Sequence, residues 1–166
     1  MTKLGFYNNE RRLEEGIYYT FRFIKVAELE DCKSYIVLED IFGVRHFIEY
    51  ECYKHYELQE KSEITCLVDK INCTGRIFLE PLHPIYTLGG IYSFDVLDTL
   101  DTENGLVVTV RDCYNNLVNI TISQAEISLP LGFTSIRAKI ENIKKGVPEL
   151  IFDSAEKIMD GLLVIT

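Results

Sequence analysis

An internal repeat constrains this chain more than any other feature. An offset of 73 residues lays Gly16, Tyr19, Thr20, Phe21 and Phe23 over Gly89, Tyr92, Ser93, Phe94 and Val96. An offset of 72 lays Ile36, Leu38, Asp40 and Ile48 over Val108, Val110, Asp112 and Ile120, then Ile64, Cys66, Val68 and Ile71 over Ile136, Ala138, Ile140 and Ile143. With one insertion, Ile77 and Leu79 fall on Leu150 and Phe152. The matches sit at alternating apolar positions, and the residues between them differ. Two copies of one fold leave this pattern, because core volume is constrained and surface is not.

The alternation defines the repeating unit. Glu63–Pro84 reads as a hairpin: Ile64, Cys66 and Val68 share one strand face, Asn72–Gly75 supplies the turn, and Ile77 and Leu79 resume the pattern until Pro81 and Pro84 end it. Upstream, a long strand follows Gly16, a polar break spans Glu28–Ser34, and strands at Tyr35–Asp40 and Arg45–Tyr50 flank a turn at Gly43. Alternation fails over Glu51–Lys61, which predicts a short helix or irregular turn. Each copy is thus expected to hold five strands, with a helical insert between the third and fourth. The predicted divisions are an arm at residues 1–15, loose or briefly helical, a first barrel at 16–86, and a second barrel with its tail at 87–166. In the tail, Ser154 reads as the N-cap of a short helix reaching Asp160, with Gly161 as its stop; Leu162–Ile165 reads as an apolar strand that needs a strand edge or barrel end to cover it.

Composition narrows the function classes. The 166 residues are 47% hydrophobic, enough for packed cores. Lys and Arg number 17 against 26 Asp and Glu, a net charge of −9, which by itself repels a phosphate backbone or an anionic membrane. No apolar run reaches signal-peptide or membrane-spanning length, and the five cysteines contain no CxxC pair, so reduced thiols in the cytoplasm are expected. His46, His55 and His83 are spaced too widely to suggest a metal site, and no phosphate loop, nucleophile elbow, HExxH or carboxylate pair occurs. The expectation is therefore a non-enzymatic protein without metal or cofactor.

Five strands with a helical segment between the third and fourth is the order of the OB fold, and several stretches resemble its S1 RNA-binding variety. GIYYTFRF, and GIYSFDV in the second copy, is similar to the opening strand of that family; YIVL at Tyr35–Leu38 and VRHFIEY at Val44–Tyr50 resemble its second and third strands, and EITCLVDKINCTGRIFLEP its closing hairpin. The resemblance covers most of residues 16–80 and, more faintly, 90–153. It implies an all-β chain of two tandem five-stranded OB-fold (S1-like) barrels. It also implies that single-stranded RNA or DNA lies across strands two and three, stacked on outward rings and met by basic side chains.

Carried over position by position, Tyr35 and Phe47 are the candidate stacking rings, with Arg45, Arg22 and Lys33 as the basic rim. The chain departs from the family in lacking a phenylalanine before strand two, where Cys32 and Lys33 stand, and in placing Glu39 and Glu49 on the same face. The second copy has Val107 and Asn119 at the ring positions, so it reads as a structural or protein-contacting barrel. Tyr35 and Phe47 equally suit burial against a neighbouring element, and Tyr50, Tyr53, Lys54, His55 and Tyr56 suit either a wider binding surface or packing over the barrel mouth. Two functions remain open: binding of single-stranded nucleic acid by the first barrel, or a protein-interaction module built from both barrels and the apolar tail.

Overall fold

The computed structural model describes residues 12–123, 133–159 and 162–165. The chain is all-β and divides into two compact units, Met1–Pro84 and Ile85–Thr166.

In the first unit β1 (Tyr18–Glu28), β2 (Ser34–Glu39), β3 (Arg45–Glu49), β4 (Glu63–Ile71) and β5 (Ile77–Pro81) form one antiparallel sheet in the order β3-β2-β1-β4-β5. The sheet curls until β3 lies beside β5, which gives the strand order of an OB-like barrel. The second unit repeats it with β6 (Ile91–Thr102), β7 (Gly105–Arg111), β8 (Leu117–Ile122), β9 (Ser135–Lys144) and β10 (Val147–Met159), and β8 returns beside β10. The inward residues that the repeat aligns are the two cores. Phe21, Ile36, Leu38, Ile64, Cys66 and Val68 are buried in one; Phe94, Val108, Val110, Ile136, Ala138 and Ile140 are buried in the other.

The duplication extends to backbone detail. Register slips between Phe23 and Lys25 in β1 and between Val96 and Asp98 in β6, so both long strands carry a bulge at the same place and bend there. Gly16 and Gly89 both adopt positive φ and donate to the carbonyls of Val68 and Ile140. At the β2–β3 turn the buried Asp40 carboxylate accepts the N–H groups of Phe42 and Val44, and at β7–β8 Asp112 does the same for Tyr114 and Asn116. Gly43 and Asn115 hold the left-handed position these turns require.

Two features differ from the sequence-based expectation. Residues 12–15 are not a loose arm: Leu13 is buried in the first core and the Glu14 N–H donates to the Tyr19 hydroxyl. Their counterparts in the second unit are Tyr86, packed in its core, and Thr87, whose N–H donates to the Tyr92 hydroxyl. No helix starts at Ser154. β10 runs through it, because Ser154, Ala155 and Glu156 pair with β9 and Glu156–Met159 pair with β11 (Leu162–Ile165). Sheet partners on both sides outweigh the weak helical preference of so short a segment. The predicted helix end at Asp160 and Gly161 lies outside the described residues, as does the second unit's connection at 124–132. The apolar strand at Leu162–Ile165 pairs with a strand edge as expected, on β10.

The insert of the first barrel is one short helix, α1 (Tyr50–Tyr53), followed by two 3-10 turns at Lys54–Tyr56 and Leu58–Glu60. Tyr53, Tyr56 and Leu58 are buried, so packing on the barrel accounts for most of this aromatic stretch. The Tyr53 hydroxyl donates to the buried Glu80 carboxylate at 3.0 Å, and Tyr56 meets Tyr53 and His83 edge to face. Among the described residues no helix is long and apolar enough to cross a membrane.

Candidate nucleic-acid interface

Residues of β1, β2 and β3 on the side away from Ile36 and Leu38 form three rungs across the first barrel, although Val37 at their centre is itself buried, at 2% exposure. Arg22, Glu39 and Arg45 make the first, Lys25, Val37 and Phe47 the second, and Ala27, Tyr35 and Glu49 the third. The bulge in β1 brings Lys25, rather than Ile24, opposite Val37. Neighbouring pairs on such a face approach to about 5 Å between Cβ atoms and diagonal ones to about 7–8 Å, so Tyr35 and Phe47 are diagonal neighbours with Glu49 beside Tyr35.

The two rings differ in environment. Phe47 is 40% exposed. Tyr35 is half-buried, and its hydroxyl donates to Asp31 Oδ2 at 2.7 Å. That bond holds the Asp31 carboxyl below its ordinary range and pushes the Tyr35 phenol upward. The ring is thereby fixed by the β1–β2 loop, where Cys32 takes a left-handed conformation and Asp31 also accepts the Lys33 N–H.

Arg22 and Arg45 share one partner. Arg22 Nη2 lies 2.6 Å from Glu39 Oε1, and Arg45 Nε lies 3.7 Å from Glu39 Oε2. One carboxylate does not exhaust two guanidinium groups of five donors each, so the rung remains cationic. Lys25 on the second rung and Lys33 in the β1–β2 loop, beyond the third, are exposed.

A further pair of residues, on β5 and its turn, escaped the sequence reading. Arg76 follows the β4–β5 turn, in which the Asn72 side chain accepts the N–H groups of Thr74 and Arg76. Its guanidinium lies 5.2 Å from the centroid of Phe78, a ring 40% exposed, and its charge reaches the Tyr35 hydroxyl. Curling of the sheet puts this turn and the β1–β2 loop at the borders of the β2–β3 face. These are the two loops with which OB folds grip oligonucleotides.

Charge is unevenly divided. Residues 12–84 hold nine Lys and Arg against fourteen Asp and Glu. Five of those cations (Arg22, Lys25, Lys33, Arg45, Arg76) border this face, with six carboxylates (Glu28, Glu30, Asp31, Glu39, Glu49, Glu63). The face is nearly balanced in charge on an acidic unit.

The corresponding face of the second barrel has no ring. Asp95, Asp98 and Leu100 on β6, Val107, Thr109 and Arg111 on β7, and Leu117, Asn119 and Thr121 on β8 occupy it, with Thr109 Oγ1 donating to Asn119 Oδ1 at 2.9 Å.

Metal chemistry gains no support from the histidines. His46 is buried against Asp40 at 2.9 Å, His83 against Tyr56, and among the described residues no three His, Cys, Asp or Glu side chains gather as a metal site. Fold and face together describe a tandem pair of OB-like barrels whose first member carries aromatic rings and paired charges on its outer surface. No family model matches this chain, and no curated protein matches it.

Proposed function

We propose that the first barrel, as an S1-like module, binds single-stranded nucleic acid, RNA in the first instance, across β2 and β3, and that the protein acts by binding and not by catalysis. The observation that carries this is the placing of Tyr35 and Phe47 with Arg45, Arg22 and Lys25 on the rungs of β1–β3, with Lys33 in the adjoining loop and the Arg76–Phe78 pair on β5 and its turn, where the sheet closes toward β3. Stacking on an exposed ring contributes about 1–3 kcal/mol per base with little sequence preference, so Phe47 and Phe78 supply the affinity and the cations hold the strand. Five cysteines without disulfides accord with a reducing compartment, and we place the protein in the cytoplasm.

The test is an anisotropy titration of a fluorescent twelve-nucleotide RNA at about 50 and about 200 mM salt. Three phosphate contacts correspond to a slope of about −2 in log affinity against log salt. Phe47→Ala with Phe78→Ala should weaken binding at least about tenfold. A flat titration, or one that the double substitution leaves unchanged, overturns the proposal. A second reading, a protein-interaction module without nucleic acid, is favoured by the carboxylate of Glu39 lying on both candidate arginines; absence of saturable RNA binding at both salts would select it.

A further inference from the structure

The two barrels present charge-reversed versions of one surface. Where β1 carries Arg22 and Lys25, β6 carries Asp95 and Asp98, placed identically with respect to the shared bulge. Where the first barrel has Tyr35 and Phe47, the second has Val107 and Asn119. The rings are gone, yet the face is not polar. Leu100 is 63% exposed and Leu117 is 67% exposed, and Leu97, the extra residue of the β6 bulge, is 44% exposed. Asp101 is exposed but lies on the opposite side of the strand, paired with Leu106, and Glu103 is in the turn after β6; Arg111 is the one cation among the outward residues of β6–β8.

We propose that this outer face of β6–β8 docks a basic protein segment anchored by apolar side chains. Charge complementarity selects that occupant. Asp95 and Asp98 repel a phosphate backbone and attract lysine and arginine, while the leucines beside them gain by burial against apolar anchors. Spacing sets the length of the segment. Leu100 stands on the rung of Val107 and Thr121, and Leu117 lies four residues before Thr121 on β8. That is about 13 Å along the strand and about 10 Å across two strand spacings. The diagonal of about 16 Å is spanned by about five extended residues or three helical turns.

The test uses the full chain labelled with nitrogen-15 and three synthetic fourteen-residue peptides: an amphipathic Lys/Leu sequence, a Lys/Ser sequence of equal charge, and a Glu/Leu sequence. The expected result is saturable binding of the Lys/Leu peptide, at least about tenfold tighter than Lys/Ser, with shifts confined to β6–β8 around Leu100, Thr109 and Leu117. Leu100→Ser with Leu117→Ser should bring Lys/Leu down to the Lys/Ser level, and Asp95→Lys with Asp98→Lys should weaken it at least about tenfold; preserved dispersion of the second-unit resonances shows that each variant is folded. Equal affinity for Lys/Leu and Lys/Ser overturns the proposal, as do shifts on β1–β3 instead, binding of Glu/Leu, or the same residues answering to single-stranded RNA or to self-association.

Discussion

Replacing Tyr53 by phenylalanine tests how the insert is held on the first barrel. The Tyr53 hydroxyl donates to Glu80 Oε2 at 3.0 Å, with both side chains buried. A hydrogen bond to a charged acceptor contributes about 1.5–3 kcal/mol, and phenylalanine keeps the ring while removing the donor. At about 4–8 °C per kcal/mol for a unit of this size, the first barrel should melt about 6–24 °C lower at pH 7. The same site gives a second, signed expectation. Burial first, and the Glu80 charge after it, push the Tyr53 phenol far above its ordinary 10.0. Its contribution is therefore whole below pH 10 and is lost above it, as the unfolded chain sheds a proton that the folded one keeps. The loss runs at about 1.4 kcal/mol per pH unit, and Tyr53→Phe abolishes it. Melting followed by circular dichroism at pH 7, 10 and 11, with amide exchange on β4 and β5 reporting the first unit, should show the two proteins converging as pH rises. A gap that stays constant with pH, or no gap at pH 7, refutes the reasoning.

Gly105→Ala should unfold or loosen the second unit: at a φ of +132°, an added Cβ would lie 2.2 Å from the Ile122 carbonyl oxygen, and two-dimensional amide spectra should lose second-unit dispersion while first-unit peaks stay. Asp40→Ala and Asp112→Ala should cost their own units similar amounts, about 2–4 kcal/mol each, because each carboxylate accepts two backbone N–H groups at a buried turn; urea melts of both variants check the symmetry. Leu13→Ala should destabilise the first barrel by about 2–5 kcal/mol, and an unchanged urea midpoint would remove Leu13 from the core.

What the sequence made legible was periodic. Alternation around Ile36, Leu38, Ile64, Cys66 and Val68 exposes the inward face directly, and buried apolar residues recur at the aligned positions Val108, Val110, Ile136, Ala138 and Ile140. Leu13 and Tyr86 escaped notice because each stands alone among polar or turn residues, where periodicity has nothing to repeat. Ser154 misled because serine followed by Ala155, Glu156 and Lys157 favours a helix locally, and only the pairing of β10 with both β9 and β11 decides against it. Arg76 and Phe78 escaped for a topological reason. They lie about thirty residues beyond Phe47, and it is closure of β3 toward β5 that sets their turn beside the β2–β3 face.

The net charge of −9 loses much of its force against nucleic-acid binding once it is divided by place. At physiological ionic strength charges are screened beyond about 8 Å, so a strand laid on β2 and β3 would sense Arg22, Lys25 and Arg45 with Glu39 and Glu49, and not the sum over the chain. Duplication explains how such a division arises. Inward residues, the Asp40 and Asp112 turns and the two bulges are fixed by packing and hydrogen bonding, whereas outward rungs are free to change sign without disturbing the barrel. Cations and rings on one copy, carboxylates and leucines on the other, are the surfaces from which the two proposals start. Net charge does not separate the copies, since residues 12–84 alone hold nine cations against fourteen carboxylates, so discrimination between ligands of opposite charge has to come from how each face places its own charges.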